Sequence, residues 1–139
     1  MPTFRLIALL TATTLASTAA QARPNAQPGE YEYSVKLRML GMSMPATTFK
    51  QCVTQKDIDS GKAYVNNEKQ SNCDQAEIKW SGDDFTVNGQ CHNPDMKMTG
   101  TGTASVTGFE MEMDVKIGGT IPMQQKQTIS AKRTGDCAK

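Results

Sequence analysis

The stretch that decides the fold is residues 96–133, MKMTGTGTASVTGFEMEMDVKIGGTIPMQQKQTISAKR. Apolar or small residues alternate with polar ones along it, which is the period of a β-strand. If Thr107-Gly108 is a tight turn, the two flanking segments oppose each other as a hairpin. Its apolar face then pairs Val106 with Phe109, Ala104 with Met111, Gly102 with Met113, Gly100 with Val115 and Met98 with Ile117. A shift by one residue would mix the two faces, so the alternation specifies the pairing.

The end of this stretch predicts a third strand. After the turn residues 118–122, the segment 123–133 returns alongside the second strand. The face that continues the apolar side carries Met123, Gln125, Gln127, Ile129 and Ala131. Two glutamines are therefore expected to point towards the apolar side of the sheet.

The same period of two runs through the segment before it. Residues 30–39 alternate strictly, with five apolar side chains on one face, which predicts a half-buried strand. A turn over residues 40–45 leads to a second strand, Thr47–Val53. Pairing these strands brings Leu37 near Phe49 and Tyr33 near Val53.

One short helix and one further hairpin complete the elements. Thr54-Gln55-Lys56-Asp57 resembles a capping box and predicts a helix over residues 55–60, stopped by Gly61. Residues 62–75 are polar and are expected to be mostly loop. Glu77–Trp80 and Phe85–Asn88 flank Ser81-Gly82-Asp83-Asp84, a strong turn signal. The sum is an all-β protein, an antiparallel meander of about seven strands that forms a curved sheet or a small barrel or half-barrel.

The N-terminus has the pattern of a secretory signal. Arg5 provides a short positive region, an apolar run follows, and Ala20-Gln21-Ala22 places small residues where a signal peptidase needs them. We expect cleavage after Ala22, a linker over residues 23–28, a single domain over 29–139 and a periplasmic location. A buried N-terminal helix is the alternative interpretation, but a polar segment with two prolines follows. No later segment has the apolar length of a membrane span.

All four cysteines lie after the predicted cleavage point, and an even number in an exported domain indicates two disulfides. A four-thiolate zinc site is the alternative, although the chain has no C-x-x-C pair. Cys73 and Cys91 lie symmetrically about Gly82 and should nearly face each other across the hairpin. Of the three possible connectivities we therefore expect Cys73–Cys91 and Cys52–Cys137.

Charge and motifs argue against several classes of function. Fifteen basic residues balance fourteen acidic ones, and this overall balance gives no electrostatic reason to expect a nucleic acid or an anionic membrane as partner. The chain has one histidine and no sequence motif of a known catalytic or nucleotide-binding site, so we expect no enzymatic activity and no cofactor. Asp83-Asp84 and the acidic side chains of Glu110, Glu112 and Asp114 are expected to be solvated.

Methionine is the unusual feature, with nine in the chain. Thioethers bind Cu(I) and Ag(I), so one hypothesis is a metal site formed by Met42, Met44, His92, Met96 and Met98. Core packing explains the same spacing on a buried strand face, and sacrificial oxidation is a third possibility. A ligand cavity is a further hypothesis, because flexible thioether chains repack around varied shapes. Its lining would include Met98, Met111, Met113, Gln125 and Gln127.

Several motifs resemble the exported bacterial family called domain of unknown function 3617. They are Pro28-Gly29-Glu30-Tyr31, Gly41-Met42-Ser43-Met44-Pro45, Cys52-Val53-Thr54, Cys73, Cys91, Met98-Thr99-Gly100-Thr101-Gly102, Phe109 with Met111 and Met113, and Arg133-Thr134-Gly135-Asp136-Cys137. The resemblance spans about residues 28–137 and implies a small, β-rich protein of the Gram-negative periplasm. It implies no activity and no site residues. His92-Asn93-Pro94-Asp95 departs from the family pattern, in which a Lys-Gly-Pro-Pro type of segment is expected.

The function expected from the sequence is binding, either of a small apolar ligand or of an envelope protein. Ligand binding predicts an enclosed apolar cavity of a few hundred Å³, on the order of those that hold small molecules. The alternative hypothesis, from a different class of function, is that the protein carries Cu(I) or Ag(I).

Overall fold

The computed structural model describes residues 25–65 and 72–139. The predicted signal segment 1–22, the start of the linker and part of the predicted loop 62–75 lie outside these ranges. The elements are β1 (Gly29–Met39), β2 (Met42–Ser43), β3 (Thr47–Val53), α1 (Gln55–Ser60), β4 (Glu77–Ser81), β5 (Asp84–Cys91), β6 (Met96–Ser105), β7 (Gly108–Ile117) and β8 (Met123–Gly135). The predicted all-β class with one short helix is confirmed. The described ranges hold eight strands because a short β2 follows the first turn.

The strands form one antiparallel sheet in the order β4-β5-β6-β7-β8-β1-β2, and β3 also pairs with β1. β1 is long enough for two partners on one side, since β3 pairs with its first seven residues and β2 with its last two. The first strand of the domain pairs with the last, because β1 lies beside β8 along almost its whole length. The sheet does not close, so of the curved-sheet and barrel alternatives the structure has the open form. No helix in the described ranges is long and apolar enough to cross a lipid bilayer.

The predicted register of the β6–β7 hairpin is wrong by two residues. Ala104 faces Phe109, Gly102 faces Met111 and Met98 faces Val115, so the turn is Val106-Thr107. Gly108 belongs to the ladder, where it faces Ser105 and Lys132, and a Cβ there would clash with the Ala131 carbonyl oxygen. The missing side chain of this glycine allows β8 to approach closely, and Gly108 does not form the turn. A register shift of two residues keeps the same side chains on each face of the sheet, so the predicted faces are right.

The predicted pairing of β1 with β3 is wrong by four residues. Tyr33 faces Phe49, and Gly29 faces Val53. The chain turns earlier than predicted, at Leu40-Gly41, where β2 closes a tight hairpin on β1. Residues 44–46 then carry the chain along β1 to the start of β3. The register thus follows the tight turn at Leu40-Gly41 and not the midpoint of the predicted turn 40–45. Tyr33 and Phe49 stack with parallel rings 5.1 Å apart.

The helix and the disulfides follow the predicted positions. Thr54 caps α1 in a reciprocal capping box with Asp57, and Gly61 ends the helix in a left-handed conformation. In the β4–β5 hairpin, Trp80 faces Phe85 across a turn at Gly82. Disulfides join Cys52 to Cys137 and Cys73 to Cys91, the pairs that the hairpin symmetry predicts.

The core lies on one face of the sheet beneath residues 54–65, which we call the cover segment. Tyr64 of this segment packs its ring within 5.5 Å of the ring centres of Trp80, Phe85 and Phe109. Ile58 is buried beside it. The cover segment supplies the second layer that a sheet with one apolar face needs.

Candidate functional site

The described methionines share one face of the sheet. Residues directly opposite in an antiparallel ladder lie on the same face, and Met98, Val115, Gln125, Met39 and Met42 form one such row across five strands. The next row places Met96 and Met123 on either side of Ile117. Met111 and Met113 continue the face along β7, and Met44 lies two residues beyond Met42. This is also the face that carries the core.

The cover segment shields only part of this face. It packs over the aromatic rows near Phe85 and Phe109, where Met111 is 2% exposed. Further along the strands, Met96 and Met98 are half-buried. The boundary between the covered and the uncovered part forms a groove of about 540 Å³.

The groove has an apolar floor and a mixed rim. Its floor is formed by sheet residues, namely Val35, Met96, Met98, Met113, Gln127 and Ile129. The cover segment contributes the residues Lys62, Ala63, Tyr64 and Val65. Cys73, Asp74, Ala76 and Cys91 bound it at the β4–β5 side, and Tyr33, Phe49 and Gln51 at the β1–β3 side. The arrangement can hold an unbranched apolar chain while leaving polar groups at the rim.

Tyr33 fixes the cover segment to the sheet beside the groove. Its hydroxyl donates a hydrogen bond of 2.9 Å to the carbonyl oxygen of Ala63. Burial, followed by the neighbouring Tyr31, Asp57 and Tyr64, raises the pKa of Tyr33 to about 12. The phenol therefore stays protonated and remains a donor over the whole physiological range.

The predicted cavity-lining residues are only partly brought together. Met98, Met113 and Gln127 line the groove. Met111 instead packs under the cover segment, and Gln125 lies outside the groove lining although it is on the same face. The groove is also open to solvent, since Phe49 at its rim is 46% exposed, whereas the sequence predicts an enclosed cavity. The difference arises because the sheet does not close and residues 54–65 shield only part of its apolar face.

The predicted metal-binding residues fall into separate groups. Met96 and Met98 line the groove from β6. Met42 and Met44 lie on the same face but at the β2 end of the strand order, where β1, β8 and β7 separate them from β6. His92 is exposed, and its Nε2 lies 3.1 Å from Asp74 Oδ2. Within residues 25–65 and 72–139, no three His, Cys, Asp or Glu side chains are grouped to hold a metal ion.

The acidic candidates lie on the opposite face or in turns. Glu110, Glu112 and Asp114 follow the polar face of β7, and Asp114 lies 4.0 Å from Lys126 Nζ. Asp84 accepts a hydrogen bond of 2.9 Å from the Thr103 hydroxyl. These carboxylates are solvated or hydrogen-bonded to neighbouring strands.

Sequence reasoning missed the part of the site that the cover segment supplies. Residues 62–65 lie in a stretch predicted as polar loop, yet Ala63 and Tyr64 are buried. A tyrosine beside an alanine and a valine in an otherwise polar stretch was the available signal. It has no period of two or 3.6, so periodicity could not detect it.

A comparison with known protein families matches most of the chain. The family model described as "Protein of unknown function (DUF3617)" matches residues 26–137. Neither the curated proteins nor the solved structures include a match to this chain. The matched range contains every described strand, both disulfides and the groove. The chain therefore belongs to the DUF3617 family, as its cysteine, methionine and glycine motifs predict.

Proposed function

We propose that this protein is an exported, non-catalytic binding protein of the periplasm, and that the methionine-lined groove holds a small amphiphile. The export proposal is supported by the signal pattern of residues 1–22 and by two disulfides, which persist in oxidising compartments. The groove is the single observation that carries the binding proposal.

The size and lining of the groove favour a flexible aliphatic ligand. Its volume of about 540 Å³ lies within the range of small-molecule sites. Met96, Met98 and Met113 supply three unbranched side chains that adjust to a flexible chain at little cost. Because the groove is open on one side, the ligand keeps a polar end in water.

Polar groups around the groove would orient that end. Gln127 places an amide among apolar floor residues, and Lys62 and Asp74 lie at the rim. The proposed ligand is therefore an unbranched aliphatic chain with a small polar head. Binding of an envelope protein is the other form of the proposal, in which an apolar segment of the partner would occupy the groove.

The non-catalytic proposal is supported by the chemistry at the groove. Cys73 and Cys91, which border it, are bonded to each other, and the described chain has no free cysteine. Among residues 25–65 and 72–139, the His92 side chain hydrogen-bonds an exposed carboxylate, that of Asp74, and no nucleophile. The groove provides apolar surface that contacts a ligand and polar groups that orient it.

A fluorescent fatty acid tests the ligand proposal. We expect the emission of cis-parinaric acid to rise to saturation when it is added to the protein. Met98→Glu places a negative charge in the apolar floor, where it repels the carboxylate of the probe, and should weaken this binding by about tenfold or more. Met42→Glu is the matched control, because Met42 lies on the same sheet face but outside the groove and is 70% exposed. No saturable binding, or equal binding by both variants, would overturn the proposal.

A Cu(I) or Ag(I) carrier is the second candidate, and the three thioethers of the groove favour it. Met96, Met98 and Met113 line one groove, and soft sulfur ligands select these ions. Titration with Cu(I) against a competing chelator distinguishes the two candidates. Competition by the protein that is lost in a Met96→Leu/Met98→Leu variant would support the metal. Affinity no tighter than millimolar would exclude it.

A further inference from the structure

Two neighbouring hairpin turns expose large apolar side chains at one end of the sheet. We call residues 40–44 and 118–123 the apolar tips. The pairing of β1 with β8 ends at Met39 and Gln125. Met39 directly precedes residues 40–44, and Gln125 lies two residues after 118–123, so the two tips are neighbours. Leu40 is 82% exposed and Ile121 is 79% exposed. Neither side chain packs in the core.

The backbone conformation at Leu40 is unfavourable for a leucine. Leu40 has φ 50° and Gly41 has φ 78°, so both central residues of this two-residue turn are left-handed. Such turns favour Asn-Gly, since a leucine is strained in the left-handed region. Leu40 is therefore unfavourable in its turn and gains no burial in the core. Such a residue points to a contact with a partner outside the folded chain.

The charges next to the tips are mainly positive. The tips themselves contain no charged residue. Behind them, Arg38 faces Lys126 and Lys97 faces Lys116 across the ladder. The nearby carboxylates are Asp114, which lies 4.0 Å from Lys126, and Asp95, whose backbone carbonyl bonds Gly118. Like charges that face each other across strands are unfavourable in the free protein, and an anionic surface would relieve them.

We propose that the apolar tips insert into the surface of an anionic lipid bilayer. The tips carry aliphatic side chains without charges, and Arg38 and Lys116 lie two residues behind them, about 7 Å along the strands. That spacing places the cations at the lipid phosphates when the aliphatic side chains reach the acyl boundary. Residues 40–44 and 118–123 are not part of the proposed ligand groove.

Vesicle sedimentation tests this proposal with a variant that should fold better than the wild type. Leu40→Asn supplies the residue that the turn prefers, and Ile121→Ser removes the second exposed side chain. We expect wild-type protein to bind vesicles of phosphatidylglycerol and phosphatidylethanolamine more tightly than vesicles of phosphatidylcholine. The Leu40→Asn/Ile121→Ser variant should bind the anionic vesicles about tenfold more weakly or worse. Arg38→Gln and Lys126→Gln should each weaken binding roughly fivefold, and added salt should act in the same direction.

Two matched controls use the opposite end of the molecule. Val106→Ser removes an exposed apolar side chain from the β6–β7 turn, and Lys56→Gln removes a cation from α1. Both should bind vesicles like the wild type. All variants are produced from the full chain and share the same N-terminal residues, so the N-terminal segment contributes equally.

Three outcomes would overturn the proposal. They are failure of the wild type to sediment with anionic vesicles, unchanged binding by the Leu40→Asn/Ile121→Ser variant, and equal loss in the Val106→Ser control. Concentration-dependent dimers that Leu40→Asn/Ile121→Ser abolishes, without vesicle binding, would identify a second copy of the chain as the occupant instead.

Discussion

Gly102 shows how a missing side chain allows the sheet to pack. A Cβ at this position would lie 2.5 Å from Phe85 Cζ and 2.6 Å from the Glu110 carbonyl oxygen. The first is part of a rigid buried ring and the second is backbone, so neither can move aside easily. The glycine lets the Phe85 ring lie over β6, where it also contacts Tyr64 of the cover segment.

Gly102→Ala is therefore expected to lower the free energy of unfolding by about 1–3 kcal/mol, the usual result of overpacking a core. Urea denaturation measures the change. Gly135→Ala is the matched control, because a Cβ there meets nothing within 4 Å and Gly135 has no left-handed φ. That control should change the stability by about 0.5 kcal/mol or less, or increase it slightly. Equal effects at the two positions would contradict the steric argument.

At the scale of the element, α1 depends on its N-terminal cap. The Asp57 carboxylate accepts hydrogen bonds from the Thr54 backbone N–H at 2.8 Å and from the Thr54 hydroxyl at 2.7 Å. These bonds, the side-chain one first, lower the pKa of Asp57 below its ordinary value of 3.8. A helix of six residues is too short to be stable by propensity alone, so the cap and the burial of Ile58 hold it on the sheet.

Asp57→Ala should lower the free energy of unfolding by about 1 kcal/mol at neutral pH, because it removes the capping box. The folded pKa is lower than the unfolded one, so this stabilisation is present above pH 3.8 and is lost as the pH falls through the folded pKa. Urea denaturation at neutral and at acidic pH should thus show the difference between wild type and variant shrinking in acid. Asp59→Ala removes a second carboxylate of the same helix, which accepts a hydrogen bond from Gln55 Nε2 outside the cap, and should cost less than Asp57→Ala. A difference that does not depend on pH would count against the role of the ionised cap.

At the scale of the whole molecule, the two disulfides hold different parts of the chain. Cys52–Cys137 joins residues 85 positions apart and ties β3 to the C-terminus, whereas Cys73–Cys91 joins residues 18 positions apart. The first also secures the pairing of β1 between β3 and β8, which brings the two ends of the domain together. The second holds the segment after residue 71 against the end of β5 at the groove.

Removing the long-range disulfide should therefore destabilise more than removing the short-range one. In the chain-entropy model, Cys52→Ala/Cys137→Ala should lose about 4–5 kcal/mol and Cys73→Ala/Cys91→Ala about 3 kcal/mol. Chemical denaturation of each double variant gives the two values, and thiol titration confirms that the remaining pair stays oxidised. The reverse ranking would show that native-state contacts outweigh loop length here.

Local signals along the chain predicted the elements and their faces. The alternation of β1 and β7, the capping box at Thr54 and the stop at Gly61 each involve residues within a few positions of one another. Their effect depends on backbone geometry that every strand or helix shares, so it can be read without knowing the neighbours. The four cysteines and the shared motifs likewise placed the chain in the family that the comparison shows.

Contacts between distant parts of the chain decided the rest. The β6–β7 register leaves Gly108 in a strand where β8 approaches it closely. Tyr64 packs against aromatic partners on β4, β5 and β7. The groove lies where residues 62–65 of the cover segment meet the apolar face of an open sheet. The sequence by itself determined the strand pattern, the faces, the capped helix and the family, because each depends on local order. Only the tertiary structure decided the register, the cover and the groove, because each depends on how closely distant backbones can pack.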